Sequence, residues 1–107
     1  MFEKQILRLQ QVIESCVSVD KGLPLQYIKC LLFVYEEEGI SVSELAERSR
    51  LGISSTSRIV HSLAEHRQNG NGYNFIEVVK DQNNARKRQL IMTKKGKDFV
   101  ETLLNCL

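Results

Sequence analysis

In the stretch SELAERSRLGISSTSRIVHSL, residues 43–63, two helical segments flank a break at Arg50-Leu51-Gly52, and the second opens on hydroxyl side chains. Ile53, Thr56, Ile59, Val60 and Leu63 recur at helical spacing and are expected to face a core. That leaves Ser54, Ser55, Ser57, Arg58, His61 and Ser62 as an outer face that is short, polar and nearly free of acid. The chemistry of such a face is recognition. Short hydroxyl side chains let a helix sit deep in a groove about 12 Å wide and bond base edges or phosphates, and one arginine can bridge guanine O6 and N7. The plainer alternative is that serines at a helix start only cap it, a reading that applies most to Ser54.

A second set of basic and polar residues follows. FIEVVK (75–80) and RQLIMT (88–93) read as strands joined by DQNNARK, a hairpin with Arg86, Lys87 and Arg88 close together at its tip. Lys80, Asn84, Arg86, Lys87 and Arg88, with Ser43 ahead of the break, complete the candidate DNA-contacting set. Basic side chains on a hairpin are often merely solvated, but in minor-groove readers they sense groove width and negative potential.

Other chemistries lack their residues. His61 and His66 lie five apart and share no helix face, and nothing is spaced to complete a zinc site. Cys16, Cys30 and Cys106 are odd in number and far apart, so neither a disulfide framework nor a metal site is indicated, and reduced buried thiols are expected. No set has nucleophile-and-base character and no Gly-rich loop follows a strand, so the chain reads as no enzyme and implies no cofactor.

At 107 residues, 42% apolar and 26% charged, the chain reads as one globular domain over 1–107. No apolar run approaches the roughly 20 residues a bilayer span needs, and no signal sequence opens the chain, so a cytoplasmic location is expected. The net charge of +2 is unevenly spread: residues 1–50 carry six Lys/Arg against eight Asp/Glu, residues 51–107 nine against five. A basic half can supply phosphate attraction, although scattered solvated charge is the alternative.

Several elements must position these residues. Phe2, Ile6, Leu9, Ile13 and Cys16 form a narrow stripe on a helix over 2–19, to be covered by the domain itself or by a second subunit. VDKG (19–22) breaks that helix, and Pro24 fits the first turn of the next, whose buried face reads Leu25, Ile28, Leu31, Leu32 and Tyr35. Glu36-Glu37-Glu38 should fray into solvent at its end. Ser41-Val42-Ser43-Glu44 is a capping box that starts a short helix, stopped near Arg50 to Gly52, where glycine is expected to take the tight bend. The outer-face helix then runs to about His66, QNGNGYN (68–74) is a turn, and Thr93 caps a last helix with Phe99, Val100, Leu103, Leu104 and Leu107 inward.

The order helix, helix, short strand, helix, turn, helix, hairpin, helix gives a mainly α fold with a small β-hairpin wing, a winged helix-turn-helix. Leu23 to Leu104 resembles the MarR family of bacterial transcription regulators, with the nearest matches in VSELAERSRLGISSTSRIVHSL (42–63) and D-x(4)-R-x(6)-T-x-x-G (81–96). The resemblance implies that Ser54, Ser55, Ser57 and Arg58 read the major groove, that Arg86 is the wing arginine entering a minor groove, and that Asp81 shapes the wing. It also implies a homodimer, through flanking helices 1–20 and 94–107, acting most simply as a repressor on double-stranded DNA.

Three departures limit the analogy. QNGNGYN adds about seven residues between recognition helix and wing. Val78-Val79 replaces residues that are often basic, so a more buried first wing strand is expected. The last helix is short, whereas family members use longer terminal helices to dimerise and to frame a small-molecule effector pocket, so the resemblance leaves an effector open. Peroxide-sensing members use a cysteine in the first helix, sometimes bridged to one near the partner's C-terminus, which puts Cys16 and Cys106 at such places, against the plain reading of small buried hydrophobes. Because a fold does not settle function, the competing reading is a winged-helix protein-interaction module without specific DNA binding.

Overall fold

The expected succession of helices and hairpin is present in a computed structural model that describes residues 1–67 and 70–107, with side chains at every such position except 66, 67, 70, 71 and 84–86. The elements are α1 (Glu3–Val19), α2 (Leu25–Glu36), α3 (Val42–Ser49), α4 (Ile53–Leu63), β1 (His66–Arg67), β2 (Gly70–Asn71), β3 (Ile76–Asp81), β4 (Asn84–Met92) and α5 (Lys94–Asn105). β1 pairs with β2 and β3 with β4, both antiparallel. An isolated bridge, Ile40 to Leu90, adds the short strand ahead of α3, with Gly39 and Leu90 N–H groups donating across it at 2.8 and 2.9 Å. Among the described residues no helix is long and apolar enough to cross a membrane.

The core gathers Cys30, Leu31 and Val34 of α2, Leu45 of α3, Ile59, Val60 and Leu63 of α4, Phe75, Ile76, Leu90 and Met92 of the hairpin, and Phe99, Val100 and Leu103 of α5. Rings stack through its lower half: Phe75 lies 4.7 Å from Phe99 and 5.7 Å from Tyr73, with Tyr27 edge-on to Tyr73. The Tyr73 hydroxyl donates to Asp20 at the end of α1 at 2.5 Å. So the segment after α4 is tied back to the α1–α2 turn.

The helix starts follow local chemistry. The Ser41 hydroxyl accepts from the Glu44 N–H at 3.1 Å while the Glu44 carboxylate accepts from the Ser41 N–H, as the capping box requires. The Thr93 hydroxyl accepts from the Gly96 N–H at 3.0 Å. Gly96 has a second reason to be glycine, because a Cβ there would lie 1.9 Å from the Phe75 carbonyl oxygen. The first turn of α5 therefore rests directly on the backbone entering β3.

Several details differ from the sequence reading. Pro24 sits at the N-cap of α2, one position ahead of the helix. Leu25 is 79% and Leu32 40% exposed, since the buried stripe of α2 centres on Cys30, Leu31 and Val34, where other elements converge. The tight bend after α3 is taken by Arg50, at φ 61°, while Gly52 is extended and caps α4. The Glu36–Glu38 run is exposed but engaged: Arg48 binds Glu36 and Glu37 at 2.6 and 2.5 Å, and Lys97 approaches Glu38 at 3.5 Å.

α4 ends at Leu63, short of His66, because the carbonyls of Ser62, Leu63 and Ala64 accept from the N–H groups of Tyr73, Phe75 and Asn74. The turn reading over 68–74 falls partly on residues 68 and 69, outside the described residues. The wing turn is tighter than expected, with Asp81 opposite Asn84, so 84–88 belongs to β4 instead of the tip. Val78 is 37% exposed and Val79 partly buried, because that part of β3 runs beyond the core. Leu104 and Leu107 are exposed as well.

Two outcomes are expected. Gly96→Ala should lower unfolding free energy in denaturant titration by at least about 2 kcal/mol, because backbone must move to admit the methyl group. The Glu44 carboxyl is held below its usual range by Ser41, through its side chain first and its backbone second, with Lys87 adding attraction. A lowered folded-state value stabilises above the unfolded one and is lost as pH falls through the folded one. The melting-temperature advantage over Glu44→Gln should thus be full at neutral pH and shrink below about pH 4.

Candidate nucleic-acid interface

Burial of one side of α4 decides what its other side offers. Thr56, Ile59, Val60 and Leu63 are buried, with the Thr56 hydroxyl donating to the Gly52 carbonyl at 3.0 Å. Ser54, Ser55, Arg58 and His61 are exposed and Ser57 is partly so. On a helix, Ser54 and Arg58 share one line and Ser57 and His61 the next, so hydroxyls, guanidinium and imidazole form one continuous surface. Ser43, in the first turn of α3, is exposed too.

Two positions depart from expectation. Ser62 is 7% exposed and accepts from the Tyr27 hydroxyl at 3.3 Å, because its side of α4 packs toward α2. It is therefore removed from the outer face. Ile53, expected in the core, is 53% exposed at the start of the helix, where the apolar periodicity outruns the body that covers it. The only cue in the sequence was its place directly after the break.

On the wing, Lys80 stands directly opposite Arg88 in the ladder, and both are exposed. Opposed residues of an antiparallel pair project from the same face, so the two basic side chains stand side by side there. Asp81 accepts from the Asn83 N–H at 2.8 Å and so closes the turn between the strands. Lys87 is exposed, its ammonium 3.9 Å from Glu44, which links the wing to α3. The side chains of Asn84 and Arg86 lie outside the described residues, as does that of His66.

Acid enters where α4 meets the wing. A cleft there is lined by His61, Ala64, Glu65, Glu77 and Val78, which sets two carboxylates beside the end of α4 and β3. The cysteines lie elsewhere. Burial raises the Cys16 and Cys30 thiols above their usual range, which disfavours the reactive thiolate, and the Cys106 thiol donates to the Thr102 carbonyl at 3.3 Å.

Comparison with known proteins places this geometry. RV1404 from Mycobacterium tuberculosis superposes with a TM-score of 0.77 at 20% identity, over 95% of this chain and 65% of that one. A structure of MarR gives 0.70 at 26% identity over 94% and 69% of the two chains, and MepR of S. aureus, solved with DNA, gives 0.76 at 15% over 91% and 73%. The chain thus spans about two thirds of the length of these relatives. No curated protein matches the sequence. The model of the MarR family matches residues 23–87, from the start of α2 into β4 and across the whole α3–α4 unit. On that match, this chain belongs to the MarR family.

Proposed function

We propose that the chain is a transcription regulator that binds double-stranded DNA as a homodimer, most simply a repressor, with α4 in the major groove and the β3–β4 wing against a minor groove. The observation that carries this reading is the outer face of α4, where Ser54, Ser55, Ser57 and Arg58 are presented with no acid among them. A chain of the MarR family that shares its fold with MepR, a protein solved on DNA, supports it. In this reading Ser54, Ser55, Ser57 and Arg58 meet base edges, while Ser43 and His61 meet phosphates. Lys80, Asn84, Arg86, Lys87 and Arg88 line the wing contact, and Asp81 holds the wing turn.

Residues 1–107 act as one winged-helix unit flanked by dimer-forming helices. Phe2, Ile6, Leu9 and Ile13 are 48–63% exposed along α1, and Leu104 and Leu107 are exposed near the end of the chain. An apolar row of that length in water favours a second copy. The two recognition helices then meet half-sites about one DNA turn apart, on a pseudo-palindrome.

Selection of bound fragments from random genomic DNA is expected to return such a site, with log affinity falling linearly against log salt. Arg58→Ala should weaken binding to it about tenfold or more and relax base preference at one position of each half-site. Arg86→Ala should weaken binding on all sequences. Wild-type affinity in both variants would leave the interaction-module reading in possession. For the dimer, Leu9→Asp with Ile13→Asp should turn a dimer into a monomer in sedimentation while far-UV dichroism stays unchanged, since neither side chain is part of the domain's core.

A further inference from the structure

Ile53 is a large branched apolar side chain, 53% exposed, at the first position of α4, on the surface that also carries Ser54, Ser57 and Arg58. Ser57 follows it one turn later, so Ile53 begins the edge that continues through Ser57 and His61. The space ahead of it is open, because Gly52 has no side chain and a Cβ there would meet nothing within 4 Å. No bulky cap separates Ile53 from whatever α4 approaches.

We infer that Ile53 reads the 5-methyl group of a thymine in each half-site, an inference that rests on the DNA-binding reading of α4. A recognition helix brings its N-terminal residues closest to base edges. An isoleucine there can neither donate nor accept a hydrogen bond. Against guanine, adenine or cytosine edges it displaces water from polar atoms and returns nothing. Thymine alone presents an apolar group in the major groove, and burying its methyl against the exposed Ile53 removes two apolar surfaces from water together. The hydroxyls beside Ile53 leave base identity loosely specified, since serine donates or accepts equally well. The isoleucine adds a discrimination they lack.

Uracil tests this directly, because it keeps every hydrogen-bonding atom of thymine and lacks only the methyl. With the selected operator, fluorescence anisotropy on duplexes carrying one thymine-to-uracil exchange at a time should reveal one position per half-site where wild-type affinity falls about fourfold, the value of one buried methyl at ~0.8 kcal/mol. Ile53→Ala should bind the thymine operator more weakly than wild type and show no uracil penalty at that position. Its melting temperature reports that the fold is intact. An operator insensitive to uracil throughout, or an unchanged penalty in Ile53→Ala, overturns the inference while DNA binding itself stands. Failure of wild type to select any sequence overturns the DNA-binding reading and the inference with it.

Discussion

The seating of α4 governs the rest of the molecule. Four side chains, Thr56, Ile59, Val60 and Leu63, hold one side of the helix in the core, and the chain returning at 73–75 takes up the carbonyls of Ser62, Leu63 and Ala64. Helix ends leave carbonyls that need donors, and here the entry to β3 supplies them. One set of backbone hydrogen bonds thereby fixes the end of α4 and the beginning of the wing. Neither can be displaced without unsettling the other.

Around that joint, the remaining contacts stop neighbouring pieces from drifting. Tyr73 reaches Asp20, Tyr27 reaches Ser62, and the ring stack continues to Phe99, so α1, α2, α4 and α5 are all referred to one cluster. Part-buried hydrogen bonds between such aromatics and polar partners define geometry more than they add energy. The ion pairs of Arg48 and Lys97 are exposed and contribute little stability, but they keep the acidic end of α2 turned toward α3 and α5.

Charge is distributed to match. The wing sets Lys80 opposite Arg88, and Glu65 and Glu77 line the cleft between wing and helix. The apolar row on α1 shares no residue with the α4 face or with the wing.

Much of this was legible in residue order. The capping box at Ser41 to Glu44, the Thr93 cap with Gly96, the broken helix pair over 43–63 and the hairpin after Phe75 each rest on interactions between residues close in sequence, where local chemistry suffices. The fate of a side chain at the edge of an apolar stripe was not legible. Ile53 and Leu25 lie outside, Ser62 lies inside, and Arg50 takes the left-handed turn that Gly52 was expected to take. Periodicity gives the direction a side chain points along its own helix, but whether another element lies there to cover it depends on contacts between distant segments, such as Tyr27 with Ser62 across 35 residues. Tertiary packing alone decides that.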